Sequence, residues 1–318
     1  MSEMTVASKK NKGKKSLLYI WENRWLYLFV TPAFLTVLIF NYLPMPGIIM
    51  AFQNFDPMKG FLHSTFVGLD NFRSIFESAD LPRVIKNTLG ISALGFCLGF
   101  PLPIILAVFI NEMSSIKLKK FIQTTSYLPH FISWIVVSGI MYEILDINTG
   151  AVNKLIGIFG GSSVDFLADP KLFWIVSVLI AIWKEIGWGS IIYLAAIVSI
   201  DQEQYEAAIV DGASRLKRIL HITIPGIMPT VAVLLILQAG SLLSGAGLSP
   251  GFDGTYNLGN PGNADASEVL DIWIFREGIR RMNYSFASSV GLVLSVINMT
   301  FVFIANKIAN KVNDSGIF

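Results

Sequence analysis

Cysteine, histidine and charge are all scarce in this 318-residue chain, and each scarcity removes a class of function. A single cysteine, Cys97, falls inside an apolar run, so neither a disulfide framework nor a Cys-based metal site is available. The three histidines, His63, His130 and His221, lie on different segments without a His-Glu-x-x-His pattern, which leaves metal hydrolysis unsupported. No Gly-x-x-x-x-Gly-Lys-Ser/Thr loop is present to cradle nucleotide phosphates. The chain therefore does not hydrolyse ATP by itself. Charged residues make up only 14% of the sequence, against about 25% in soluble domains. The formal net charge of +2 gives no argument for nucleic-acid binding.

Hydrophobic residues, at 53%, are instead abundant, and they are grouped. Runs long enough to cross the hydrocarbon core, about 20 residues of helix, extend over Trp25 to Phe52, Val84 to Ile110, Phe121 to Leu145, Leu172 to Ile200, Ile227 to Gly247 and Phe286 to Asn306. An all-α, polytopic membrane bundle of six transmembrane helices is expected. It forms one domain over residues 25–311, between a basic tail with an interfacial helix (1–24) and a short tail (312–318). The interfacial helix rests on Leu17, Leu18, Ile20, Trp21 and Trp25 interleaved with polar residues. Trp25 to Phe52 is too long for a signal-peptide core and lacks a small-residue cleavage site, so it stays as an anchor.

Basic residues near span ends are retained on the cytoplasmic side. Lys9, Lys10, Lys12, Lys14 and Lys15 precede the first run, Lys117, Lys119 and Lys120 follow the second, Arg215, Lys217 and Arg218 follow the fourth, and Lys307 and Lys311 end the last. This pattern puts both termini inside and leaves the leading lysines to touch anionic lipid. Arg276, Arg280 and Arg281 run against it. Their apolar neighbours Val269, Ile272, Trp273 and Ile279 suggest an amphipathic helix on the outer surface, or equally a short packed or re-entrant one.

Between the fourth and fifth runs lies a polar insert, residues 201–226. Asp201 with Gln204 three residues on reads as a capping box, Gly212 supplies the left-handed residue that ends the first helix, and Ser214 caps a second, amphipathic one. Pro225 and Pro229 mark the turn back toward the bilayer. Within it, Glu206-Ala207-Ala208, three residues, Gly212, nine residues, then Ile222-Thr223-Ile224-Pro225 resembles the EAA loop of membrane subunits of binding-protein-dependent ABC importers, with Ile224 where Leu is usual. The resemblance implies a type I ABC importer permease fold. It also implies a coupling helix seated on a cytoplasmic ATPase, with Glu206, Ala207, Ala208, Asp211, Gly212, Ile222 and Pro225 at the contact.

The likeness extends along the chain through Tyr42 to Gly47, Phe66 to Phe72, Asn87-Thr88, Gly99-Phe100-Pro101, Asn111-Glu112, Tyr127 to Trp134, Ile182-Trp183-Lys184, Gly187-Trp188 and Ser267-Glu268-Val269. These segments resemble carbohydrate-type permeases, and among them the subgroup serving polygalacturonan- and rhamnogalacturonan-type oligosaccharides. Implied partners are a second homologous permease, two nucleotide-binding ATPase subunits that use the ATP and magnesium, and a periplasmic or lipid-anchored solute-binding protein. The implied location is the bacterial cytoplasmic membrane. No cofactor is expected on this chain, and it is expected to be a transport component rather than an enzyme.

Ionisable residues inside a span are expensive, about 2.5–3.5 kcal/mol each on insertion scales. Lys184 and Glu185, flanked by Trp183 and Trp188, therefore need a partner or a watery cavity. As sequence neighbours about 100° apart on a helix, they cannot form the favoured i,i+4 pair, and at least one is expected to reach another span, either beside a translocation path or as a structural pair near the outer leaflet. His130 reads as a helix-start contact, with a gate as the alternative. Gln238 and Asn298 are the amides best placed for sugar hydroxyls. A rival reading, an ion-coupled carrier or channel without an ATPase, predicts carboxylates along the spans and an inverted repeat, and neither is visible.

Overall fold

The computed structural model describes residues 21–240, 242–244 and 249–313. The leading lysines, most of the expected interfacial helix, residue 241, the stretch 245–248 and the final residues of the chain lie outside them. Helix dominates; the described strands are Gln53–Asn54 and Thr65–Phe66, paired antiparallel. The chain forms two compact units, Met1–Gly68 and Leu69–Phe318.

The first unit holds α1 (Arg24–Phe52), which is apolar and largely exposed along its length, followed by the small hairpin. The second unit holds the remaining long helices: α2 (Leu81–Glu112), α3 (Ile116–Phe131), α4 (Trp134–Leu145), α5 (Pro170–Val198), α6 (Gln202–Val210), α7 (Arg215–Gly240), α8 (Gly251–Leu258), α9 (Leu270–Phe275) and α10 (Tyr284–Asn313). Among the described residues five helices are long and apolar enough to span a bilayer, and α3 with α4 makes a sixth span bent by 105°. The expected straight third span is thus broken. Pro129 closes α3 in a 3-10 turn, Ile132 is extended, and the Ser133 hydroxyl accepts from the Val136 N–H to start α4 afresh.

At the centre of this unit runs α5. It begins at Asp169, whose carboxylate accepts from the Lys171 N–H at 2.9 Å, with Pro170 in the first turn, where the missing N–H costs nothing. Phe173, Ser177, Ala181, Lys184, Gly187, Ser190, Tyr193 and Ile197 recur every three or four residues and are buried. Many are small, which lets neighbouring backbones approach. A Cβ on Gly187 would stand 2.0 Å from the Ser126 carbonyl oxygen of α3, and one on Gly90 would stand 2.3 Å from the Trp174 ring. Gly187→Ala is expected to destabilise the protein by about 2–3 kcal/mol or more, because rigid backbone is what must move. Gly139→Ala, where nothing lies within 4 Å, serves as the neutral control. Thermal denaturation in detergent distinguishes the two.

Four helical stretches open into a π-turn: Leu38–Tyr42, Gly95–Gly99, Ile219–Thr223 and Arg276–Arg280. The first three each precede a proline by one intervening residue, namely Pro44, Pro101 and Pro225. In a continuing α-helix the proline ring meets the carbonyl four residues back; a widened turn relieves that clash and lets the helix run on. This corrects the expectation that Pro225 and Pro229 mark a turn of the chain, since α7 runs unbroken through both from the Glu206 loop to Gly240.

Candidate functional site

Two groups of predicted site residues take shape, at different depths. In the polar insert, the Asp201 carboxylate accepts from the Glu203 N–H at 3.0 Å. The cap therefore closes on the second residue of α6 rather than as the expected box with Gln204. Gly212 has φ +75°, the Gly212 N–H donates to the Ile209 carbonyl at 3.0 Å, and the Ala213 N–H donates to the Ala208 carbonyl at 2.8 Å. Those two bonds form a Schellman closure, which satisfies the last carbonyls of α6 and explains why the motif needs glycine there. Ser214 accepts from the Lys217 N–H at 3.4 Å and starts α7. Glu206, Ala207, Asp211, Gly212 and Pro225 are exposed, with Ala208 and Ile222 half-buried. Beside them Ile209, Val210, Leu216 and Leu220 expose apolar surface, Val210 at 87%.

Sequence reasoning missed the tie that stiffens this insert. The Tyr205 hydroxyl meets Thr223 Oγ1 at 2.9 Å, joining α6 to the π-turn of α7, and Thr223 is fully buried. Both residues stand inside the motif, yet the bond crosses 18 positions and leaves no periodic trace.

The second group lies near the middle of the 29-residue α5. Lys184 is 5% exposed. Its Nζ donates to the His130 carbonyl at 2.8 Å and to Glu185 Oε1 at 2.9 Å, while Glu185 Oε2 meets His130 Nδ1 at 2.6 Å. The His130 ring lies parallel to Trp188 at 4.3 Å, Phe131 meets Trp188 edge-on at 5.7 Å, and the Lys184 ammonium stands 5.7 Å from the Trp134 ring. The buried cation is thus neutralised, hydrogen-bonded and faced by an aromatic ring. Lys184 and Glu185 both reach His130 of α3, as expected of at least one of them, and they also pair with each other because their long side chains fold toward that shared neighbour; the group lies at mid-helix rather than near one end. His130 becomes a member of the site.

Trp183 is 42% exposed and takes no part in this contact set. Gln238 and Asn298 are half-buried on α7 and α10, a pair packed so closely that a Cβ on Gly240 would stand 2.4 Å from Val302. The Lys184 group draws its hydrogen-bond partners from α3 and α5 instead.

At the far end of the bundle from the Glu206 loop, a third constellation appears that sequence reading saw only as scattered charges. Arg83 binds Asp80 at 2.8 Å, Glu268 at 2.5 Å and Asp265 at 3.2 Å. Arg276 binds Asp80 at 2.5 Å, Glu277 at 3.1 Å and Glu268, and Arg281 binds Glu277 at 2.9 Å. Burial pulls the Arg276 pKa down, but the hydrogen bond it donates to Asp80 and the charge of Glu268 outweigh it and hold the guanidinium more firmly protonated than usual. The stretch around these arginines is a packed helix, with Trp273 of α9 only 1% exposed, and so settles the choice against a surface-lying one. Glu268→Ala, which strips two arginines of their shared carboxylate, is expected to cost about 3 kcal/mol, read as a lowered unfolding temperature in detergent.

A profile of the family described as binding-protein-dependent transport system inner membrane component matches residues 99–314, a span that contains both the Glu206 loop and the Lys184 group. The chain belongs to this family. It is a multi-pass permease component of an ABC importer, not an enzyme. Among its relatives, the protein LplB of Bacillus subtilis (strain 168) is 41% identical over 96% of this chain and 95% of its own. The polygalacturonan/rhamnogalacturonan transport system permease protein YteP of the same strain is 38% identical over 98% and 96%. In three dimensions, a bacterial ABC transporter involved in the import of the acidic polysaccharide alginate superposes with a TM-score of 0.84 at 37% identity, covering 94% of this permease and 99% of that chain. A second structure of a bacterial alginate ABC transporter, in complex with an alginate pentasaccharide-bound periplasmic protein, gives 0.83 at 38% identity over 94% and 98%.

Proposed function

We propose that this permease imports an acidic oligosaccharide across the bacterial cytoplasmic membrane, paired with a second homologous permease above two ATPase subunits. The observation that carries the reading is the exposed loop. Its turn is fixed by Schellman bonds and its α6 is tied to α7 through Tyr205 and Thr223, yet Ile209, Val210, Leu216 and Leu220 are left uncovered. A rigid loop with an open apolar face fits docking into a groove of a soluble ATPase, which binds the ATP and magnesium that this chain has no loop to hold. The basic-residue bias supports placing this loop and both termini in the cytoplasm. The relatives that handle polygalacturonan, rhamnogalacturonan and alginate support an acidic cargo delivered by a binding protein on the outer side.

Within the membrane, Glu185, His130 and Trp188 form a polar and aromatic surface beside the path, with Lys184 behind them as counter-ion. ATP binding shifts the bundle toward an outward-open state only by the difference in ATPase affinity for the two conformations. The test is reconstitution of the permease pair with its ATPase in proteoliposomes. Trigalacturonate-loaded binding protein is expected to stimulate ATP hydrolysis and to drive uptake, and uptake that persists without the ATPase rejects the reading.

A further inference from the structure

Beside the salt-bridge network lies a cavity of about 520 Å³, within the range of small-ligand sites. Arg83, Arg276 and Arg280 line it together with Tyr256, Phe275 and Ser267. Two of these arginines are spent on carboxylates: Arg83 on Asp80, Asp265 and Glu268, and Arg276 on Asp80, Glu268 and Glu277. Arg280 is different. Among the described residues it has no carboxylate partner, and its Nη2 donates to the Tyr256 hydroxyl at 2.8 Å. Its guanidinium carbon stands 5.7 Å from the Tyr256 ring and 5.8 Å from that of Phe275. These rings are themselves locked to each other at 5.5 Å and to Phe252 at 5.4 Å.

The result is an exposed cation with a net charge to offer, steadied by the Tyr256 hydroxyl and by the Tyr256 and Phe275 rings, on the wall of the cavity. We propose that this cavity is a binding site for an acidic sugar, in which Arg280 takes the carboxylate. A guanidinium matches a carboxylate with two parallel N–H donors, and prior ordering by the rings reduces the entropy lost on binding. Glu268 also lines the cavity, but its oxygens are held by Arg83 and Arg276 and do not compete for Arg280. The Ser267 hydroxyl, which makes no hydrogen bond among the described residues, is available to a sugar hydroxyl. A neutral sugar of the same size gains only the second contact.

The site rests on the reading of an acidic cargo, and the experiment separates the two. The assembled transporter in nanodiscs, without binding protein, is titrated calorimetrically with trigalacturonate and with its carboxyl-reduced counterpart. Wild type is expected to bind the acid more tightly, and Arg280→Gln to weaken that binding about tenfold while leaving the neutral trisaccharide unchanged. Arg280→Lys, which keeps the charge but not the fork, falls between. Equal affinity of wild type and Arg280→Gln for trigalacturonate, equal binding of acid and neutral sugar, or no binding at all overturns the site. So does a result in which Arg280→Gln weakens docking of sugar-free binding protein and leaves the sugar affinity intact, since Arg280 then reads a protein acid. If wild-type proteoliposomes take up trigalacturonate normally while Arg280→Gln changes nothing, the cargo reading stands and only the site falls. If they take up the neutral trisaccharide alone, the cargo reading falls as well.

Discussion

Gly212→Arg abolishes stimulation of ATP hydrolysis by the loaded binding protein, leaving only the unstimulated rate, and uptake stops with it. The expected effect is large because two separate requirements meet at this residue. Its φ of +75° costs a non-glycine residue about 1–2 kcal/mol. Its position is also exposed, so the new guanidinium projects from the face proposed to meet the ATPase. A Cβ there meets nothing within 4 Å, so the permease itself has room for the side chain. Gly212→Ala is therefore expected to retain part of the stimulation, paying the backbone cost without the bulk. Detergent melting of both variants should stay close to wild type, since the Gly212 turn is exposed and a side chain there meets nothing within 4 Å. Stimulated hydrolysis and uptake that survive Gly212→Arg unaltered would remove the mechanical role assigned to the loop.

Lys184→Met is the second large effect, and here stability and transport move together. The ammonium has three anchors, the His130 carbonyl, Glu185 and the Trp134 ring. Losing it leaves Glu185 with His130 alone at mid-helix, at a cost of about 3–5 kcal/mol. A low yield of folded protein and a lowered melting temperature are expected. The double variant Lys184→Met/Glu185→Leu removes both charges and is expected to recover most of that stability, as apolar replacements of buried pairs often do. Uptake by the double variant then decides between roles. If stability returns and transport does not, the group acts on the path; if both return, it is structural and the path proposal is lost.

What the sequence disclosed and what it hid divide along the range of the interactions. The loop was readable because its determinants are local: Asp201, Gly212 and Ser214 each act within a few residues, and the glycine does what its spacing implied. The all-α membrane character was readable from the apolar runs. The bend in the third span was not, although Pro129 and Ser133 stood ready to end one helix and cap the next; a stretch of the length and overall apolar character of one span masked them. The His130–Glu185 contact spans 55 positions and the Arg276–Asp80 contact 196, and no single-sequence pattern marks such distances. The outer arginines were noticed as exceptions to the charge bias. Their significance required Asp80 and Glu268 to be seen beside them.

The widened turn at Ile219–Thr223 amounts to one surplus residue spliced into a helix. An α-helix advances about 100° per residue, so a residue added to a regular helix would rotate everything beyond it. The widened turn absorbs that residue locally, and the stretch from Gly226 to Gly240 keeps its azimuth relative to the Arg215–Arg218 turn. Gly226, where a Cβ would stand 2.6 Å from Ile200, and Gly240 against Val302 stay on their neighbours through it. Excising a single residue from 219–223 would restore regular pitch and leave both glycines facing their contacts, whereas excising one between Gly226 and Gly240 would swing Gly240 away by more than a quarter turn. In this permease the widened turn is therefore the place in α7 where chain length can change without a rotation between the two ends of the helix.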